Sequence, residues 1–132
     1  MNRFLALAAG LLIVAACTSV ETVRQTQGEG VKRTFRHSYA VVYQAALDSA
    51  TRRKLEVVEQ DRGSGRIVLT SGASWTSFGE RIAIFVSRTT ARLTTVEIVS
   101  KPIVPAVTFP RDWPPLLFGD IEQEVALARG TR

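Results

Sequence analysis

The sequence predicts an α+β domain: an antiparallel sheet of four to five strands, a helix after the first strand and a C-terminal helix packed on one face, in the order β-α-β-β-β-β-α. Three observations carry that prediction. Residues 39–54 contain no Gly or Pro and place Tyr39, Val42, Tyr43, Ala46 and Ala50 at helical spacing. Between residues 55 and 101, short apolar runs with period-two alternation are separated by turns rich in glycine, serine and threonine. All five prolines lie between Pro102 and Pro115, and Leu117, Ile121, Val125 and Ala128 then return to helical spacing.

Each element has a local reason. The composition of Val31–Arg36 suits a short strand. Ser38 stands where an N-cap accepts from the backbone N–H groups of the next turn. In the helix over 39–54 the alanines permit close approach to a sheet, and Arg52, Arg53 and Lys54 complement its carbonyl end. Leu55–Asp61 reads as the second strand, and Gly63 and Gly65 supply the positive φ angles of a turn before Ile67–Ser71 returns. A small-residue connection over 72–79 leads to Glu80–Arg88, where Ile82, Ile84 and Val86 share one face and Ala83 and Phe85 the other. After a turn at Thr89–Ala91, Arg92–Lys101 places Thr94, Val96 and Ile98 on one face. The proline-rich stretch runs as an extended loop, and Asp112 caps a final helix whose first turn tolerates Pro114 and Pro115. Gly119 weakens that helix, and Gly130 marks its end.

The N-terminus carries a different signal. A single positive charge at Arg3 precedes thirteen predominantly apolar positions from Phe4 to Ala16, the layout of a secretory signal. That run is shorter than the roughly 20 residues a membrane span needs. It ends in Val14, Ala15, Ala16 and then Cys17, the only cysteine, so no disulfide forms within the chain. The stretch resembles the lipobox of bacterial lipoproteins. The resemblance implies that the Cys17 thiol takes a diacylglyceryl group, that the signal is cut just before it and that the new amino terminus is acylated. Two or more chains are what stable anchoring requires. An ordinary secretory signal with a cysteine near its cleavage site, or a signal anchor, fits the same residues. Under the lipoprotein resemblance, Thr18 in place of Asp implies the outer membrane of a Gram-negative bacterium, facing the periplasm.

The resulting organisation is a signal over 1–16, a lipidated cysteine and flexible tether over 17–30, and a single α+β domain over 31–132. Thr18–Gly30 is polar and without periodicity, and as a coil it would reach about 20 Å on average. Loss of Arg3 with the signal lowers the formal charge from +5 to +4. The basic residues are interspersed with acidic ones, which gives no nucleic-acid footprint.

No catalytic constellation is present in the sequence. Gly72-Ala73-Ser74-Trp75-Thr76 lacks the second glycine of a nucleophile elbow, and Gly63-Ser64-Gly65 joins two strands rather than opening a helix. His37 is the sole histidine, with no Cys, His or carboxylate pair beside it in sequence, so neither a metal nor another cofactor is expected. Two aromatic stretches are candidate interfaces: Ser74–Phe78, with Trp75 and Phe78, and Phe109–Pro115, with Arg111 and Trp113. The same tryptophans equally suit covering the open ends of a small core.

The element order, with Trp75, Gly79 and the VEIVSK strand, resembles the small domains of lipoproteins in the bacterial outer-membrane assembly machinery, the BamC or NlpB type. The expected function is that of a non-enzymatic envelope lipoprotein, held to the membrane through Cys17 and working through contacts with an envelope protein. The alternative is a module binding a small hydrophobe or lipid. A cavity lined by Ile84, Val96, Ile98 and Leu117 would favour that alternative; a packed core with an exposed tryptophan would favour the first.

Overall fold

A computed structural model of the protein describes residues 19–75, 77–104 and 109–130. The elements are α1 (Val20–Arg24), β1 (Val31–Phe35), α2 (Tyr39–Arg52), β2 (Glu56–Asp61), β3 (Arg66–Thr70), β4 (Glu80–Arg88), β5 (Thr94–Pro102) and α3 (Trp113–Gly130). The strands form one antiparallel sheet in the order β1-β5-β4-β3-β2. The predicted α+β order is therefore present, with α1 added before it.

Strands β2 to β5 form a meander, and β1 pairs with β5 at the far edge. The connection from β1 to β2 must cross the sheet, and α2 makes that crossing. Period-two alternation sends Ile67, Leu69, Ile82, Ile84, Val96 and Ile98 to the face covered by α2 and α3, where each is fully buried. From α2 come Val42, Tyr43, Ala46 and Ala50, and from α3 Leu117, Phe118, Ile121 and Val125. The two helices are tied across their flanks by Arg53, which grips Asp120 through two hydrogen bonds of 2.5 and 2.9 Å. Arg52, placed by sequence at a helix end, also reaches Gln123 and Glu124 of α3.

Three local readings differ from the sequence expectation. Ser38 occupies the N-cap of α2, yet its side chain makes no capping hydrogen bond. Ala128 lies on the exposed side of α3, because the buried stripe ends one turn earlier at Val125. Of the two turn glycines before β3, only Gly65 has a positive φ, at 78°.

The larger correction concerns the tether. Cys17 lies outside the described residues, but from Ser19 onward the chain folds onto the sheet. Ser19 caps α1, its hydroxyl accepting from Thr22 N–H at 3.1 Å. Val23 is fully buried against Ala83, Phe85 and Val99, the face opposite α2 and α3. The Gly28 N–H donates to the buried Glu97 carboxylate at 2.6 Å, and Lys101 pairs with Glu29 at 3.2 Å. At Gly30 a Cβ would stand 2.5 Å from the Ile98 carbonyl oxygen, so only glycine lets the chain pass there. Five residues are too few for a periodic signal, and a single buried valine carries the contact. Residues 19–30 thus form a strap rather than a flexible linker.

Glycine substitutions separate backbone demand from propensity. Gly65→Ala places a Cβ 1.9 Å from the Val86 carbonyl oxygen at a positive φ, and should cost about 2–3 kcal/mol in urea unfolding. Gly119→Ala, inside α3 with open space around it, should instead raise stability by about 0.5–1 kcal/mol.

Candidate functional site

The two aromatic stretches singled out in the sequence meet at one end of the sheet. What joins them is Glu80, the first residue of β4. Its register places it on the helix-covered face, in line with Ile82, Ile84 and Val86, and it is only 4% exposed. One carboxylate oxygen accepts from Ser77 Oγ at 3.1 Å and from the Arg111 N–H at 3.2 Å; the other accepts from Ser71 Oγ and from Trp113 Nε1, the latter at 3.2 Å. The Glu80 N–H in turn donates to Ser71 Oγ at 2.8 Å. The carboxylate therefore ties the end of β3, the loop before β4, the loop before α3 and the first turn of α3.

Burial alone would push the Glu80 pKa up, by penalising the charged form. The four donors outweigh it, and the net shift is downward, so the group is held ionised. With both oxygens occupied by protein donors, Glu80 has no free position at which to take a proton from a substrate. It acts as a structural tie rather than as an acid or base.

Around this tie the predicted interface residues separate. Trp75 stands fully exposed at the tip of a tight turn, closed by the Ser74 N–H donating to the Ser77 carbonyl at 2.7 Å. Phe78 is also exposed. Trp113 is not: it is 4% exposed, and its ring plugs the end of the core while its N–H serves Glu80. The interface expectation for Trp113 is thus corrected to a core role, because its indole N–H finds a buried acceptor there. Arg111 is exposed and lies over the Trp113 ring, 5.2 Å from its centroid. Phe109, which enters the sequence analysis only as part of its stretch, is 85% exposed and lines the same recess as Arg111, Ser74 and Ser77, the last two being the chain neighbours of Trp75 and Phe78.

Between these parts lies an open cleft of about 380 Å³, with Glu80 and Ser71 on its floor and Phe109, Arg111, Arg53 and Lys54 among its walls. Lys54 sits in the left-handed region at φ 56°, which turns the chain from α2 into β2 beside the cleft. Glu80 was legible in principle: a carboxylate at the first position of the stripe Glu80, Ile82, Ile84, Val86 must be buried, and a buried carboxylate must be answered.

The other expected sites resolve simply. His37 lies at the opposite end of the sheet, where Thr94 Oγ1 donates to its carbonyl at 2.8 Å. No group of three or more potential metal ligands occurs among the described residues. Ile84, Val96, Ile98 and Leu117 are all fully buried in one packed cluster. No helix among the described residues is long and apolar enough to cross a membrane. In comparisons with known proteins, no family model matches the chain and no curated protein matches it.

Glu80→Gln should lower stability by about 2–3 kcal/mol at neutral pH, since an amide cannot accept from all four donors. The folded pKa lies below the ordinary value of 4.5, so the carboxylate's contribution is full above that pH and is lost as pH falls toward the folded value. Urea midpoints of the wild type and Glu80→Gln should therefore converge on acidification below the ordinary carboxylate range.

Proposed function

We propose that the protein is a non-enzymatic lipoprotein of the bacterial envelope, anchored through Cys17 in the outer membrane and facing the periplasm, and that it works by presenting the Trp75–Phe78–Phe109 end to a protein partner. The observation that carries the reading of the contact surface is the exposure of these three aromatics beside Arg111, on a loop framework fixed from beneath by Glu80. Aromatic and arginine side chains are the residues that anchor interfaces. A rigid base reduces the entropy that binding must remove. The reading of the anchor rests on the sequence LIVAAC and its resemblance to a lipobox.

The packed state of Ile84, Val96, Ile98 and Leu117 supports this reading over a hydrophobic-ligand module, for which those four side chains were the expected pocket lining. The resemblance to outer-membrane assembly lipoproteins belongs to the same proposal and rests on element order. The strap also changes how such an anchor would act. Only Thr18 lies between Cys17 and the capping residue Ser19, a reach of about 7 Å between the two Cα atoms. A lipid on Cys17 would then hold the domain close to the bilayer, not at the end of a long leash.

Intact-mass measurement on protein from its natural host should show a chain beginning at Cys17 with acyl groups attached, and an unmodified Cys17 would overturn the anchor. For the contact surface, photo-crosslinking from positions 75 and 109 should trap a partner that position 44, on the outside of α2, does not. Trp75→Ser and Phe109→Ser should abolish the crosslink made from the other position while changing stability by no more than about 0.5 kcal/mol. Trp113→Ala should instead cost about 3–5 kcal/mol.

A further inference from the structure

At the end of the sheet opposite Glu80, a cavity of about 320 Å³ opens beside the first turn of α2. Its walls include Arg36, Arg92 and Arg129, brought together from the end of β1, the β4–β5 turn and the last turn of α3. His37, Ser38 and Val41 complete the side formed by α2.

The three arginines stand out by what they lack. Elsewhere among the described residues five arginines are held by carboxylates and three lie over aromatic rings. Among the described residues, Arg36, Arg92 and Arg129 have no such partner, and no carboxylate side chain lines the cavity. Apart from Arg81, on the face of the sheet that carries α1, they are the described arginines left unanswered. Three like charges around one recess repel one another, and an anion between them turns that repulsion into attraction. The 14-residue helix α2 adds its positive end to the same wall, with no side-chain cap from Ser38 on its first N–H groups.

We propose that this cavity is a binding site for a phosphate group, gripped by the guanidinium groups of Arg36, Arg92 and Arg129 against the N-terminus of α2. Phosphate fits the donor set: guanidinium forks pair with its oxygens two at a time, and its second charge is matched by a third arginine. A carboxylate offers only two oxygens and one charge to the same three groups. Free phosphate and a phospholipid headgroup share this chemistry. The proposal stands on the folded domain alone and does not depend on the lipid anchor or on the aromatic contact surface.

The test is a titration of the purified full chain with inorganic phosphate, with chloride as the control at matched ionic strength, followed by backbone amide NMR. Saturable shifts should concentrate at Tyr39, Ala40 and Val41 and at Arg92. Arg36→Gln and Arg92→Gln should each weaken binding about tenfold or more, and the triple Gln variant should lose it. Arg62→Gln, at the ring of Tyr43 and outside the cavity, should leave it unchanged. Thermal melts should be unaltered in all variants, since the three cavity arginines are exposed. Dihexanoyl phosphatidylglycerol and dihexanoyl phosphatidylcholine, both below their micelle concentrations, distinguish the sources. Preference for the glycerol lipid over inorganic phosphate would identify a headgroup site, and the reverse a free-phosphate site. Absence of saturable binding by all three probes, or binding that survives in the triple variant, would overturn the proposal.

Discussion

The fold depends most on one buried charge. Glu80 carries its carboxylate into the covered face of the sheet with no ion pair among the described residues, and it is held ionised by four neutral donors that converge on it. Each donor belongs to a different point on the chain, so the charge cannot be satisfied unless the loop before β4 and the entry to α3 are both in place. That requirement seats Trp113, and Trp113 closes the core above Leu117 and Phe118. A hydrophobic residue at position 80 would bury as well, but it would leave the Arg111 N–H, the Trp113 indole and two serines to find other acceptors. Buried polar groups of this kind specify one arrangement, because partial satisfaction is costly.

The sheet carries buried clusters on both faces. On one side α2 and α3 supply most of the core; on the other a strap of about a dozen residues covers Ala83, Phe85 and Val99 through Val23 and polar ties to Glu97 and Lys101. Small residues make the strap possible: Ala83 leaves room for Val23, and Gly30 lets the chain cross beside Ile98. At the sheet edges the free strands carry devices that discourage pairing with other chains. β1 exposes Lys32 and Arg33, and β2 carries Glu56, Glu59 and Asp61 with a register shift between Val57 and Glu59.

How much of this was legible varied with the length of the signal. Helices α2 and α3 and strands β4 and β5 announce themselves because each repeats its periodicity several times, and Val42, Ala46, Ile84 and Ile98 all fall on the side predicted for them. Helix α1 looks like tether in the sequence because five residues hold barely one turn, and its stability comes from the sheet rather than from its own sequence. The candidate contact surface was half legible. Exposed Trp75 and Phe78 lie in a stretch whose small residues indicate a loop, whereas Trp113 differs from Trp75 only through a partner 33 residues away. No local pattern reveals such a partner. The basic cavity was equally hidden, since Arg36, Arg92 and Arg129 are far apart in sequence and each looks like an ordinary solvated charge.

The two ends of β4 therefore differ in kind. At Glu80 the strand begins beneath loops that expose aromatics and are pinned by neutral hydrogen bonds; at Arg88, about 26 Å away at the rise of an extended strand, it leads into the turn that carries Arg92 of the recess of unanswered cations. Such a separation lets one rigid element carry two surfaces without either interfering with the other's charge, since about 26 Å exceeds the screening length of about 8 Å at physiological ionic strength. Any coupling between an anion at α2 and a protein at Trp75 would have to pass through the packed core of β4, α2 and α3 and not through space. A close-packed interior carries coupling between distant points only through an element with two discrete arrangements, and the fully satisfied tie at Glu80 specifies one arrangement of the loops around it.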